Sequence, residues 1–178
     1  MSTTETDPRY PIGKFAPQQN HSAAEIAACI KQIRLLPLKL EAAIAGLTDS
    51  QLDTPYRDGG WTLRQVVHHV ADSHMNAYIR IKWTITETTP TIKAYNEKLW
   101  AETPEVSLSP TISLALIQAL HHKFTLLLEN LSHEQLLKEF VHPETQKRVA
   151  IHNMIALYAW HGAHHTAHIT ELRKKLNW

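Results

Sequence analysis

Four stretches of apolar residues repeat with helical spacing, and this pattern restricts the fold more than any other feature of the chain. Residues 22–46, 62–88, 110–131 and 151–176 each place apolar side chains three or four positions apart, as on one face of an α-helix. No segment reads convincingly as a β-strand. The sequence therefore predicts an all-α protein, and four long helices in 178 residues indicate a four-helix bundle.

Local signals place the starts of these helices. Ser22 and Glu25 form an S-x-x-E capping box before the first helix, and Thr62 and Gln65 form a similar box before the second. Pro37 lies inside the first helical pattern, so we expect it to kink or divide that helix.

The third helix begins at a serine followed by proline, a sequence suited to a helix start. We expect its buried face to consist of seven apolar residues: Leu116, Ile117, Leu120, Phe124, Leu127, Leu128 and Leu131. The irregular stretch before it is expected to hold a short helix around Glu97 to Glu102. A connection this long in a small domain is often a lid or a pocket wall.

A short internal echo suggests that the bundle is built from two related helix pairs. The sequences "GLTDSQLDTPY" (46–56) and "NLSHEQLLKEF" (130–140) each follow a leucine-rich helix and precede a helix that carries histidines. This pattern predicts an up-down-type bundle with a pseudo-twofold relation between the pairs. The length of the chain predicts a single domain over residues 1–178.

Composition limits the classes of partner. The formal net charge is +1, so neither nucleic acid nor an anionic membrane is an expected partner. Cys29 is the single cysteine, which excludes an internal disulfide and a cysteine-rich zinc site. We expect no signal peptide and no segment of transmembrane length, and therefore a cytoplasmic protein.

Histidine is the unusual component, with 13 residues, and four of them fall within eight positions: His161, His164, His165 and His168. Residues four apart share a helix face, so two imidazoles with this spacing can bind one divalent ion. At about 100° per residue, His161 and His165 face the bundle interior. His164 points about 110° away from that face, which predicts a peripheral position, and His168 lies between these directions.

A metal site of the catalytic type usually has three protein ligands, so a third histidine is needed. The segment "VVHHVADSH" in the second helix supplies the candidates. His74 falls on the apolar face of that helix, whereas His69 continues a polar row beside it with Ser73, Asn76 and Arg80. Spacing alone leaves the third ligand undecided between His69 and His74.

Three segments resemble the YfiT-type branch of the DinB superfamily, which contains bacterial proteins regarded as metal-dependent hydrolases: "YPIG" (10–13), "TDSQLDTPYRDGGWTLRQVVHHVADSHMNAYIR" (48–80) and "YAWHGAHHTAHITELR" (158–173). The resemblance implies a four-helix bundle that forms a homodimer and holds one divalent metal ion per subunit, zinc or nickel. By motif position, it implies that the ligands are His69, His161 and His165. Gly162 and Ala163 interrupt the histidine run, but neither is a ligand position.

The resemblance leaves three functions open. The first is hydrolysis of a small-molecule substrate by metal-activated water, with Asp72, Glu87 or His168 as the acid or base and with Arg57 or Arg80 binding a substrate carboxylate. The second is transfer of a low-molecular-weight thiol such as bacillithiol to an electrophile, which needs no protein base. The third is a non-enzymatic metal-binding stress protein, which ranks last because three histidines leave coordination positions open.

Overall fold

Four long helices form the bundle that the sequence predicts. The computed structural model describes residues 7–178, so residues 1–6 of the predicted single domain lie outside the described part. The long helices agree with the predicted segments to within two residues at each end: α1 (Ala23–Ile44), α3 (Leu63–Thr86), α5 (Thr111–Glu129) and α7 (Ile151–Leu176). Three helices of one turn lie between them: α2 (Asp49–Leu52), α4 (Glu97–Trp100) and α6 (His133–Leu136). A 3₁₀ turn covers Pro104–Ser107.

The helices of each consecutive pair lie on a diagonal of the bundle. α1 packs against α5 and α7, and α3 also packs against α5 and α7. The pairs α1/α3 and α5/α7 therefore face each other across the centre. As a result, side chains of α3 and α7 meet in the interior although the two helices are far apart in the chain.

The two predicted capping boxes form, but Pro37 does not divide the first helix. The Ser22 hydroxyl accepts a hydrogen bond from the Glu25 backbone N–H at 3.2 Å, and Thr62 does the same for Gln65 at 3.1 Å. α1 runs without interruption through Pro37, which is buried in its second half. Packing against α5 and α7 outweighs the loss of one helical hydrogen bond, so of the two expected outcomes, a kink or a division, the division is corrected.

The sequence echo corresponds to two similar short helices. In α2 the hydroxyl of Thr48 caps the backbone of Gln51, and in α6 the hydroxyl of Ser132 caps that of Gln135. Both are complete capping boxes, in which the glutamine side chain accepts from the backbone N–H of the capping residue.

The echo continues into the chain that enters α3 and α7. Leu63, the first residue of α3, donates its backbone N–H to the Thr54 carbonyl at 3.1 Å. Ile151, the first residue of α7, donates to the Lys138 carbonyl at 3.0 Å. Equivalent hydrogen bonds therefore fix the starts of α3 and α7, the two helices that carry the histidines of the predicted metal site.

We refer to the part of the chain from α1 to α3 as the first copy of the repeated unit and to the part from α5 to α7 as the second. A small hairpin in the second copy corrects the prediction that the chain has no strands. β1 (Glu139–Val141) pairs antiparallel with β2 (Arg148–Ala150), and the first copy has an isolated bridge between Pro55 and Thr62 at the same place. Strands of three residues are too short to show an alternating pattern, which explains why the sequence did not reveal them.

α5 differs from its prediction in two respects. By length and composition it is the one helix of the described residues that could cross a membrane, although we expected no such segment. In this fold it packs against α1 and α3, and Phe124 is fully buried. Leu116, predicted to be in the core, is 44% exposed, whereas His121 is 1% exposed.

Candidate metal centre

The bundle brings together three histidines from two helices. His69 lies on α3, and His161 and His165 lie one turn apart on α7. Their potential ligand atoms lie within 4.8 Å of one another, and the Nε2 atoms of His69 and His161 are 3.4 Å apart. Among residues 7–178, this is the one group of three or more histidine, cysteine or acidic side chains with metal-site spacing. We refer to these three residues as the histidine triad.

The distance between two of the three histidines equals the spacing of ligands on a small divalent ion. Metal–nitrogen bonds of roughly 2.0–2.1 Å at tetrahedral angles place neighbouring nitrogens roughly 3.3–3.4 Å apart. The spacing between His69 and His161 matches this value. Three imidazoles also form the ligand set of a catalytic zinc site, in which further positions remain open.

Burial keeps the triad in the neutral form that a metal ligand requires. Removal from water lowers the pKa of His69 to about 4, because the charged imidazolium loses its hydration. Burial, and then the neighbouring histidines, also holds the pKa of His161 and His165 well below the usual value. At neutral pH each ring therefore has one nitrogen lone pair available.

A cavity of about 660 Å³ opens directly onto the triad. Trp61 forms part of its wall, with its ring 4.5 Å from that of His69 and 6.3 Å from that of His165. Trp61 is a residue of this cavity that the sequence analysis did not single out. The sequence did hold one signal for its role: Trp61 directly precedes the cap of α3, the helix that carries His69.

Charged side chains of both signs line this cavity. Arg9, Arg57 and Lys98 provide positive charges, and Glu97 and Glu102 provide negative ones. α4 lies where the sequence predicts a short helix, and Glu97 and Lys98 belong to it. This agrees with the prediction that the irregular stretch forms a pocket wall.

A second cavity, of about 560 Å³, reaches His161 from another side. Its walls include Ser73, Arg80, Tyr95 and Tyr158. The Tyr158 hydroxyl lies 3.4 Å from the Ser73 hydroxyl, and Ser73 Oγ is 3.5 Å from His161 Nε2. Two residues of the polar row expected beside His69, namely Ser73 and Arg80, therefore line a cavity.

The two other histidines of the run lie beside the triad and outside it. His164 is buried, with its ring stacked 4.4 Å from that of Trp160. His168 stacks 4.0 Å from Tyr56 and lies 5.3 Å from His165. His164 lies outside the triad, but it lines the cavity of about 660 Å³ and is covered from the N-terminal segment by Tyr10, whose ring lies 6.2 Å away.

The remaining candidates of α3 have separate environments. His68 lies close to the Ser113 hydroxyl (2.8 Å) and the Leu108 carbonyl (3.3 Å), which ties α3 to the start of α5. His74 is fully buried between α5 and α7 and lies outside the triad. Asp72 and Glu87, the proposed acid–base residues of this region, line neither of the cavities that reach the triad.

Sequence comparison places the chain among proteins of known family. Residues 32–169, which include the whole triad, match the DinB superfamily. The chain is 48% identical over 176 residues to "Putative metal-dependent hydrolase YfiT" of Bacillus subtilis (strain 168), covering 98% of this chain and 99% of the relative. It is 53% identical over 173 residues to a "Putative metal-dependent hydrolase" of Bacillus cereus (strain ATCC 10987 / NRS 248), covering 97% and 99%.

A solved structure has the same fold. The structure of YfiT from Bacillus subtilis, described as a probable metal-dependent hydrolase with an unusual four-helix bundle topology, matches with a TM-score of 0.95 and 48% identity. The match covers 97% of this chain and 99% of that one. The all-α four-helix bundle is therefore confirmed.

Proposed function

Because the chain belongs to the DinB superfamily, we propose that it is a metal-dependent hydrolase of a small molecule, with His69, His161 and His165 as the ligands of one zinc or nickel ion per subunit. The observation that carries this proposal is the convergence of three neutral imidazoles at the wall of a cavity. Imidazole nitrogen suits both metals, so the ligand set is compatible with either.

The chemistry follows from the donor set and from the cavity. A divalent ion bound by three histidines supplies a Lewis acid that activates water at neutral pH. The cavity of about 660 Å³ lies within the usual range of sites that take small molecules, roughly 300–1,000 Å³. Trp61 packs against His69 and restricts its ring, which holds one ligand in position.

Charged groups at the mouth of the cavity would orient the substrate. Arg57 lies over the Tyr56 ring and lines the cavity, so its guanidinium is placed to bind a carboxylate or phosphate of a substrate. Glu97 and Glu102 are the carboxylates that line the same cavity, and they replace Asp72 as candidates for proton transfer.

A second candidate function is transfer of a low-molecular-weight thiol to an electrophile. The composition of the triad favours it, because the group with metal-site spacing consists of three histidines and contains no carboxylate. A metal ion can deprotonate a coordinated thiol directly, so this reaction requires no carboxylate base.

The homodimer remains part of the proposal. Ile112, Leu116 and Leu126 on α5, and Leu38 on α1, are between 44% and 62% exposed. These two helices pack side by side, so the exposed side chains offer apolar surface that a second copy of the chain would cover.

Metal analysis of protein prepared without an affinity tag tests the ligand assignment. We expect about one zinc or nickel ion per subunit in the wild type, and loss of stoichiometric metal and of activity together in His69→Ala, His161→Ala and His165→Ala, because two ligands hold the ion poorly. His164→Ala is the matched control and should keep both. Retention of metal by any of the three triad variants would contradict the assignment.

The same proteins distinguish the two reactions. Metal-loaded protein would be screened with esters and amides, and in parallel with a low-molecular-weight thiol and monochlorobimane. A fluorescent conjugate whose formation depends on the triad indicates thiol transfer, whereas triad-dependent cleavage without a conjugate indicates hydrolysis.

A further inference from the structure

A row of histidines connects the triad to the backbone of α1. The Nε2 atom of His161 faces His69, while its Nδ1 atom lies 3.4 Å from Nε2 of His74. Nδ1 of His74 lies 3.0 Å from Nε2 of His121, and Nδ1 of His121 lies 2.6 Å from the carbonyl oxygen of Ile33. Three rings from α7, α3 and α5 thus form a continuous path that ends on a backbone acceptor.

Pro37 explains why that acceptor is free. In an α-helix the carbonyl of Ile33 would accept from the backbone N–H of residue 37, but proline has no N–H to donate. The carbonyl therefore lacks its usual helical partner in the interior of the bundle. His121 fills this role from α5, which also accounts for the tolerance of proline inside α1.

The Ile33 carbonyl fixes the position of the proton on every ring of the row. A carbonyl oxygen only accepts, so Nδ1 of His121 carries the proton and donates it. His121 is 1% exposed and burial lowers its pKa to about 4, so at neutral pH its Nε2 has a lone pair. Nδ1 of His74 must then donate to it, which leaves Nε2 of His74 as an acceptor for Nδ1–H of His161.

We propose that His74 and His121 are positioning residues that fix the tautomer of His161, so that its Nε2 lone pair is directed into the triad, with the Ile33 carbonyl freed by Pro37 as the anchor of the row. The effect of this row on metal affinity rests on the proposed metal site. The proton arrangement itself is a property of the metal-free protein. Partners of this kind, which hold the second nitrogen of a histidine ligand, typically contribute 10–100-fold to metal affinity.

The proton arrangement is tested by long-range ¹H–¹⁵N NMR of ¹⁵N-histidine-labelled, metal-free wild-type protein at neutral pH. We expect His121, His74 and His161 all to be neutral with the proton on Nδ1. A proton on Nε2 of His121 or of His161 would overturn the proposal, whatever the protein binds.

Zinc affinity, measured by competition with a chelating dye, tests the consequence. We expect His121→Leu to weaken zinc binding about 10–100-fold while the saturated protein still holds one ion per subunit. His122→Leu is the matched control, because His122 is the exposed neighbour of His121, and it should bind zinc like the wild type. Equal affinity of folded His121→Leu and wild-type protein would overturn the role of the row.

Pro37→Ala tests the anchor without removing a histidine. Alanine favours the helix and supplies the missing N–H, which would compete with His121 for the Ile33 carbonyl. We expect zinc affinity between those of wild type and His121→Leu, and unchanged affinity would remove Pro37 from the mechanism. If the wild type binds no metal but shows the three Nδ1 protons, the proposed function fails while the row stands.

Discussion

The two copies of the repeated unit place different residues at one equivalent position. His74 is the twelfth residue of α3, and Gly162 is the twelfth of α7. From α3, the His74 ring crosses to α5 and meets His121 at 3.0 Å. From α7, Gly162 has no side chain, and a Cβ there would lie 2.4 Å from Leu36 of α1.

This difference shows that the repeat provides the scaffold and not the site. Between α3 and α5 the His74 side chain bridges the two helices, and between α1 and α7 the Leu36 side chain packs directly onto the α7 backbone at Gly162. The triad is asymmetric in the same way, with one histidine from α3 and two from α7. Counting from the helix starts, Ser73 and Ala77 occupy the positions of His161 and His165 in the first copy.

The largest effect on stability is expected from adding a side chain at Gly162, where α7 lies against Leu36. Gly162→Leu would force a side chain against Leu36, which is 3% exposed, so we expect the free energy of unfolding to fall by about 3 kcal/mol. Urea denaturation of metal-free protein measures this change. Adding Leu36→Ala should recover part of the loss, and purely additive effects would show that the two positions do not touch.

The next effect is a loss of stability in acid, and it should depend on His121, whose side chain lies between α3 and α5. The pKa of this buried ring is about 4 in the folded protein against about 6.5 when unfolded, so between these values only the unfolded state binds the proton. His121 therefore adds nothing to the pH dependence above about pH 6.5, and it destabilises the fold by about 1.4 kcal/mol per unit as the pH falls toward 4.

Denaturation curves of metal-free protein at several pH values measure this slope. His121→Leu should reduce the slope between pH 6.5 and 5, whereas Leu36→Ala, where α1 packs against Gly162 of α7, should leave it as in the wild type. An unchanged slope in His121→Leu would show that this ring does not stay neutral on folding.

The smallest effect tests whether the copies are equivalent where they look alike. Thr48 and Ser132 cap α2 and α6 in the same way, so Thr48→Ala and Ser132→Ala should each cost about 1 kcal/mol. The two losses should agree to within about 0.5 kcal/mol, with Ser50→Ala and Glu134→Ala as exposed controls that lack a capping role. Clearly unequal losses would indicate that the copies diverge even in their caps.

The sequence predicted the parts of this molecule that local interactions determine. Capping boxes and apolar spacing are properties of neighbouring residues, and they placed all four long helices to within two residues. The pair His161 and His165 was also predictable, since four residues on a helix define a shared face. The expectation of His69 rather than His74 as the third ligand came from the family resemblance, because the polar row and the apolar face of α3 gave conflicting indications.

The rest depended on contacts between distant segments. The burial of Pro37 in a continuous helix, the role of His121 and the cover over His164 each involve residues that the fold alone brings together. His121 is 88 positions from Ile33 in the chain, and no spacing rule connects them. The exposure of Leu116 has the same origin, because α5 turns the His121 side toward the core.

The separation of the three proposed ligands along the chain would give the proposed metal site a role in the order of folding. His161 and His165 meet as soon as one helix forms, but His69 and His161 are 92 positions apart, and closing a loop of that length costs on the order of 4 kcal/mol of chain entropy. A partly folded chain can therefore offer an ion two donors but not the third. The ion gains its full set of donors only when α3 has docked against α7. Its binding therefore stabilises selectively those chains that have reached the correct topology.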